Sequence, residues 1–351
     1  MILIVALAGS VYFFWSKRQA PPTPTPPVAQ EKVHHWEYVS KYAVLRMSAP
    51  GDSAILFRGV DTLATWIKDF TSKYKYDGEL DQKVFNAKLG DTIPLDEEAY
   101  DLFSFALKFR EFSHGDIDVG IGNLLRAWKI GWDQESRVPT VAERKAFVKD
   151  LQTPFYSLDS IRKSMIILKP AHHFALGAFM EGNILNHMAN QLEKAGAKSW
   201  LVEISGDFAY RGIKPNGEPW VLGVKDPANP DDLLAVARMQ PDKHSFCTSG
   251  DYEQQFKDSK GKSHHHIIDP HTGESTVGKH SATVSTSIPW MNKNTLCTWF
   301  MILPFEDIKK VVAESNGQIE TMLVLDSNRV WISPGLRNNI KMINPEYHVI
   351  E

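Results

Sequence analysis

The chain has 351 residues, of which 43% are hydrophobic and 23% are charged, so it can bury the core of one large globular domain or two smaller ones. Its formal net charge of -3 gives no basic excess, which argues against nucleic acid as a partner. The two cysteines, Cys247 and Cys297, do not make a disulfide framework or a zinc site. They could form one bridge in an exported chain, but we expect two free thiols in the core.

Residues 1–18 predict a signal segment or a signal-anchor. The run from Ile2 to Trp15 is almost wholly apolar, which is short for a full span of about 20 residues but too apolar to be left in water. Residues 19–35 are rich in proline and predict an extended tether. We therefore expect attachment to a membrane through the N-terminal segment, although Lys17 and Arg18 would favour a cytoplasmic position for this flank.

Residues 36–351 predict one folded domain. Strand and helix patterns alternate there without a repeated βαβ period, which indicates an α+β (mixed α/β) fold. The predicted strands lie at 42–47, 165–168, 200–204, 220–227 and 282–286, with a closing hairpin at 322–332. The predicted helices lie at 63–70, 99–107, 140–148, 177–195, 294–302 and 308–313.

The stretch from Ser245 to Gly273 predicts a hairpin, with strands at 252–256 and 264–269 and a polar turn at 257–262. Just before it, Thr248-Ser249-Gly250 places two hydroxyls beside a glycine, a pattern that lets backbone amides approach a phosphate. The three adjacent histidines at 264–266 do not predict a metal site, because neighbours on a strand point to opposite faces. On residue types alone, a solvated polar edge is the alternative.

Thr248-Ser249-Gly250-Asp251-Tyr252, followed by His266-Ile267-Ile268-Asp269-Pro270-His271-Thr272-Gly273, resembles the signature of the ApbE family, the FAD:protein FMN transferases. Further blocks follow the order of that family at 74–86, 115–128, 176–182, 203–207, 219–223 and 295–298. Each block alone is weak, but together they identify the chain as a member of this family.

The resemblance implies that FAD is the substrate and that FMN passes from it to a Thr or Ser hydroxyl of an acceptor protein, with release of AMP. His266 matches the catalytic histidine of the family, and an imidazole can accept a proton near neutral pH. Since the family is largely exported, we expect the domain on the periplasmic or extracytoplasmic face. The residues that the resemblance assigns to FAD binding are Tyr74, Asn86, Gly177, Asp207, Thr248, Ser249, Gly250, Tyr252, Ile268 and Asp269.

The resemblance also implies a Mg²⁺ ion, held by the Ala178 carbonyl and by residues 294 and 298. Thr298 keeps the hydroxyl of the family, but Asn294 stands where the family has Asp, and a neutral amide should bind Mg²⁺ more weakly. Ala175, Glu181 and Asn183 likewise replace the Asp, Lys and Tyr of the family. The alternative is therefore a flavin-binding or partner-binding protein that has the fold without the transferase reaction.

Overall fold

The computed structural model describes residues 31–39, 44–130, 135–241, 244–288 and 293–351, with side chains in the last range described from Thr295 onward. Its helices are α1 (Ser53–Leu56), α2 (Val60–Tyr74), α3 (Glu79–Asn86), α4 (Glu97–Phe112), α5 (Gly122–Trp128), α6 (Val141–Asp150), α7 (Gly177–Lys194), α8 (Lys293–Ile302) and α9 (Phe305–Glu314). Its strands are β1 (Val33–Val39), β2 (Val44–Pro50), β3 (Thr92–Pro94), β4 (Tyr156–Asp159), β5 (Ser164–Ile167), β6 (Trp200–Ile204), β7 (Asp207–Arg211), β8 (Val221–Lys225), β9 (Leu233–Arg238), β10 (Ser245–Gly250), β11 (Phe256–Lys257), β12 (Ser263–His264), β13 (Lys279–Thr286), β14 (Ile319–Leu325), β15 (Arg329–Ile332), β16 (Ile340–Met342) and β17 (His348–Ile350).

A nine-stranded sheet in the order β1-β2-β6-β7-β10-β13-β14-β15-β17 forms the centre of the fold. Helices α7 and α8 pack on one face, and the smaller sheet β16-β9-β8 covers part of the other. Successive residues of β10 illustrate the division, since Phe246 joins the cluster beneath the small sheet whereas Cys247 joins the cluster beneath the helices. The predicted mixed α/β fold is therefore confirmed.

Most of the predicted helices have the expected positions because their end signals are strong. The Thr140–Glu143 capping box is formed in both directions at the start of α6. At α4, Asp96 accepts a hydrogen bond from the Ala99 amide and provides the N-cap. Gly196 has a φ of 85° just beyond α7, a left-handed conformation that suits glycine.

The tether prediction for residues 19–35 is wrong at its C-terminal end. Strand β1 begins at Val33 and pairs antiparallel with β2, so residues 33–35 belong to the sheet edge. Trp36 packs against the main core and fixes this strand there. The predicted membrane segment at 1–18 and most of the tether lie outside the described residues, and within the described ranges no helix is long and apolar enough to cross a membrane.

The predicted hairpin forms, but its strands are shorter than 252–256 and 264–269, since only β11 and β12 pair. Its turn is closed by the Asp258 amide, which donates to the Lys262 carbonyl at 2.9 Å. Beyond β12, the Ser275 hydroxyl accepts from the His265 amide at 3.1 Å and donates to the His265 carbonyl at 2.9 Å. A side chain therefore takes the place of a strand partner, and the ladder ends at His264.

Candidate active site

A cavity of about 410 Å³ opens where the N-terminal end of α7, the C-terminal half of β10 and residues 266–268 meet. This volume lies within the range of small-molecule sites. The predicted site residues that line it are Gly177, Ala178, Asp207, Thr248, Ser249, Gly250, His266, Ile268 and Thr298. The fold thus brings residues that are distant in sequence to one cavity.

Two of the residues assigned to FAD binding lie away from the cavity, and these assignments need correction. Tyr74 is 2% exposed and packs edge-on against Phe70 in the core, whereas Tyr76 lines the cavity. Lys75, between the two tyrosines, ends α2 in an extended conformation. The side chain of Tyr76 therefore points away from the core that contains Tyr74. Asn86 is exposed and donates its side-chain amide back to the Gln82 carbonyl at 2.8 Å.

Two other predicted residues support the cavity without lining it. The ring of Tyr252 lies against Gly250 so closely that a Cβ at Gly250 would be 2.2 Å from the Tyr252 Cε1 atom. Asp269 shapes the turn after Ile268 by accepting hydrogen bonds from the His271 amide at 2.7 Å and the Thr272 hydroxyl at 3.1 Å. Both residues therefore help to shape the wall of the cavity.

The groups assigned to the metal approach the cavity from α7 and α8. The Thr298 and Ser249 hydroxyl oxygens are 3.2 Å apart, and the Ala178 carbonyl accepts a hydrogen bond from the Thr295 hydroxyl at 2.8 Å. A carbonyl oxygen has a second lone pair, so this bond leaves it able to bind a cation. The side chain of Asn294 lies outside the described residues. The donor set consists of oxygen atoms and so fits a hard cation such as Mg²⁺.

A backbone carbonyl determines which ring nitrogen of His266 carries the proton. Its Nδ1 atom is 3.1 Å from the Glu253 carbonyl oxygen, which can only accept, so Nδ1 carries the hydrogen and Nε2 has the free lone pair. Burial lowers the pKa of His266 below its ordinary value. The side chain is thus a neutral imidazole at neutral pH, which is the form a general base requires.

The neighbouring histidines have separate partners. His264 is buried, with its Nε2 atom 3.2 Å from the Asp258 carboxylate and its ring 5.2 Å from that of Trp128. The Nε2 atom of His265 donates to the Thr276 carbonyl at 2.9 Å. Each of the three histidines therefore contacts a different part of the chain.

The cavity is lined by five carboxyl side chains, whereas no lysine or arginine is among the described residues that line it. Asp116 is fixed by the Trp299 indole and by His271, both at 2.8 Å, and Asp118 by Arg110 at 2.6 Å. The other three acids are Glu181, Asp207 and Glu253. A polyanionic ligand would therefore need a cation to enter with it.

Asp207 lies at the base of the cavity. Its Oδ1 atom accepts a hydrogen bond from the Thr248 amide at 3.1 Å. Burial, with the adjacent Cys297 thiol and Glu181 carboxyl, raises the pKa of Asp207 well above its ordinary value. Asp207 lies in one of the sequence blocks that resemble the ApbE family. Its contact with Glu181 depends on the packing of β7 against α7, so no local sequence pattern predicts it.

A larger groove of about 620 Å³ lies elsewhere, along α3 and the start of α4. It is lined by several charged side chains of both signs, among them Lys73, Asp77 and Asp96. None of the residues predicted for FAD or metal binding lines it. We therefore place the candidate active site in the smaller cavity.

Comparison with known proteins gives a consistent assignment. The sequence pattern of the ApbE family matches residues 41–323. The FAD:protein FMN transferase of Haemophilus influenzae is 26% identical over 272 residues, covering 75% of this chain and 77% of that protein, and the one of Vibrio cholerae is 26% identical over 293 residues, covering 82% and 85%. A crystal structure of the ApbE protein of Thermotoga maritima superposes with a TM-score of 0.76 at 25% identity and covers 88% of this chain and 99% of that one. The chain belongs to the ApbE family.

Proposed function

We propose that this protein is an FAD:protein FMN transferase that moves FMN from FAD to a Thr or Ser hydroxyl of an acceptor protein. The observation that carries the proposal is the meeting of His266, Thr248-Ser249-Gly250 and Thr298 around one cavity, in a chain whose curated relatives are FAD:protein FMN transferases. The protein is thus a transferase, with FAD as its substrate.

The reaction is a displacement at phosphorus. The acceptor oxygen forms a bond to the phosphorus on the FMN side of FAD, the bond from that phosphorus to the bridging oxygen breaks, and AMP leaves with the electron pair. His266 takes the proton of the acceptor hydroxyl at Nε2, because Nδ1 donates to the Glu253 carbonyl. This backbone contact also holds the ring in place, so the base needs little reorganisation.

Mg²⁺ is the proposed cofactor, with the Ala178 carbonyl, Asn294 and the Thr298 hydroxyl as its ligands. When bound, the ion would offset the negative charge of the pyrophosphate. The absence of lysine and arginine from the described lining residues supports this need, because no protein cation there offsets that charge. The Ser249 hydroxyl, 3.2 Å from that of Thr298, lines the same part of the cavity and can donate to a phosphate oxygen there.

AMP release tests this function directly. The purified protein, mixed with FAD, Mg²⁺ and a known flavinylated acceptor domain, should release AMP in an amount equal to the acceptor present. Release of AMP without any acceptor would indicate hydrolysis of FAD instead. FAD binding without AMP release, once acceptor compatibility has been established, would favour the flavin-binding alternative.

The Asn294→Asp variant is expected to bind Mg²⁺ at least about tenfold more tightly, because a carboxylate is a better ligand than an amide for this hard cation. The measurement is the Mg²⁺ concentration that gives half-maximal FMN transfer. Asn316→Asp, on an exposed turn, makes the same chemical change away from the cavity and serves as the control. An unchanged Mg²⁺ requirement in Asn294→Asp would contradict the placement of the ion.

The Glu181→Lys variant is expected to bind FAD at least about tenfold more tightly, because it replaces a negative charge in the cavity by a positive one beside a polyanion. Equilibrium dialysis of FAD at constant Mg²⁺ measures the effect. Glu314→Lys gives the same change of net charge on an exposed helix end and should leave the affinity unchanged. An unchanged FAD affinity in Glu181→Lys would contradict a position of the pyrophosphate beside this residue.

We also propose that the protein is tethered to a membrane by its N-terminal segment, with the domain on the periplasmic or extracytoplasmic face. The apolar run from Ile2 to Trp15 and the proline-rich stretch after it support this proposal. Protease treatment of spheroplasts should digest the domain. Protection of the domain until the membrane is disrupted would place it on the cytoplasmic side.

A further inference from the structure

Two thiols and a carboxyl group meet beneath the cavity, and the proposed transfer reaction uses neither thiol. The Sγ atoms of Cys247 and Cys297 and a carboxylate oxygen of Asp207 all lie within 4.8 Å of one another. The two cysteines are each 1% exposed and Asp207 is 6% exposed. Such a group of three potential ligands on rigid elements is a candidate metal site.

The fold fixes each of the three ligands. Cys247 points from β10 toward the helices, since Phe246 before it faces the other side of the sheet. Cys297 lies in α8 immediately before Thr298, and α8 packs directly on β10. Asp207 begins β7 beside β10 and is held by its bond from the Thr248 amide. All three side chains therefore come from regular elements of the central sheet and its covering helix.

The donor atoms favour a thiophilic ion over a hard one. Zinc binds sulfur at about 2.3 Å and carboxylate oxygen at about 2.1 Å, so the ligand atoms of a tetrahedral site are about 3.5–3.8 Å apart. Atoms within 4.8 Å of one another need only a small movement to reach this spacing. Thiolate ligands also select Zn²⁺ or a similar soft cation against Mg²⁺, whose proposed ligands are all oxygen or amide groups.

An ion has a route to this group through the cavity. Asp207 and Ser249 both line the cavity, and the Ser249 hydroxyl is 3.3 Å from the Cys297 sulfur. The hydroxyl thus lies between the open space and the buried thiols. The Ser249 hydroxyl is within reach as a fourth ligand, which a water molecule could equally supply.

A second group of possible metal ligands lies elsewhere in the described part of the chain. Asp77, Asp81 and His173 also bring their ligand atoms together. The guanidinium of Arg126, however, bonds both carboxylates there, at 2.7 Å and 2.9 Å. A protein cation already occupies that group, so we do not assign a metal site there.

We propose that Cys247, Cys297 and Asp207 bind a thiophilic divalent cation of the Zn²⁺ class at a site beneath the flavin cavity. The site is separate from the proposed Mg²⁺ site, although Cys297 and Thr298 are neighbours in α8. Its existence does not depend on the transferase activity, and binding can be measured without FAD or acceptor.

Titration of the reduced, metal-free, full-length protein with Cd²⁺ tests the proposal. We expect one Cd²⁺ per chain and thiolate-to-cadmium absorption of the intensity given by two thiolates. The chain has two cysteines, so the absorption has no other source. In Cys297→Ala the intensity should fall to about half, and the Cd²⁺ affinity should fall at least about tenfold. In Asp207→Asn the two-thiolate intensity should persist while the affinity falls.

Thermal unfolding supplies a second measurement on the same samples. Binding to the folded state alone raises the unfolding midpoint, so Cd²⁺ or Zn²⁺ should raise it in the unmodified protein, and raise it less in Cys297→Ala at the same metal concentration. Cys247→Ser, a smaller change in shape, replaces Cys297→Ala should that variant not fold. Absence of the absorption in the unmodified protein, or equal affinity in the cysteine variants, would overturn the proposal.

Discussion

The His266→Ala variant is expected to lose FMN transfer by about 10²–10⁴-fold, which is the range for removal of a general base. FAD affinity should stay within about threefold, because the imidazole acts on the acceptor hydroxyl and is neutral when FAD binds. Single-turnover flavinylation measures the first quantity, and equilibrium dialysis of FAD measures the second. Loss of FAD binding together with transfer would contradict the role of His266 as base.

The pH dependence provides an independent readout for this residue. Burial lowers the pKa of His266, so the neutral base persists to a pH below the ordinary histidine value of about 6.5. The transfer rate should therefore be constant near neutrality and fall only as the pH drops through that lowered pKa. His266→Gln should lose this acidic limb along with the rate, whereas His348→Ala, on an exposed strand, should keep both.

The Asp81→Asn variant is expected to lower the free energy of unfolding by about 3–5 kcal/mol, because it removes the charge of a fully buried carboxylate that is paired with Arg126. The carboxylate of Asp81 accepts hydrogen bonds from Arg126 at 2.9 Å, from His173 Nδ1 at 2.8 Å and from the Phe174 amide at 3.1 Å. An amide cannot accept from all of these donors, so some remain buried without a bond. Chemical denaturation measures the loss.

Asp77→Asn is the matched control for this prediction. Asp77 bonds the same guanidinium of Arg126 at 2.7 Å, but its side chain is 52% exposed. Its φ of 59° is left-handed, a conformation that asparagine tolerates. The expected loss is therefore within about 1 kcal/mol. Equal losses in the two variants would show that burial of Asp81 does not determine the cost.

Elements with strong local signals can be predicted from this sequence. Leu63, Ile67 and Phe70 have helical spacing in the sequence, and all three lie within α2 with buried side chains. The alternation in 200–204 corresponds to β6, and 322–332 forms the hairpin of β14 and β15. In each case the residues that determine the element lie within it, so no distant part of the chain is needed.

The parts that could not be predicted depend on contacts between distant segments. Tyr74 and Tyr76 are two residues apart, and only the point where α2 ends decides which of them reaches the cavity. The end of the β11–β12 ladder depends on Ser275, which lies outside the predicted hairpin strands. The juxtaposition of Asp207 with Cys247 and Cys297 likewise needs three elements to pack together. Local sequence patterns indicate which residues belong to the site, but they do not predict the positions of these residues relative to one another.

The most direct measurement of the proposed function is the intact mass of an acceptor. A known flavinylated acceptor domain is incubated with this protein, FAD and Mg²⁺, and in parallel with a chelator or with the His266→Ala variant. The account predicts that the acceptor gains the mass of one FMN in the complete mixture and gains nothing in the two parallel reactions. An acceptor that stays unmodified in the complete mixture, while an established transferase modifies it under the same conditions, would contradict the account.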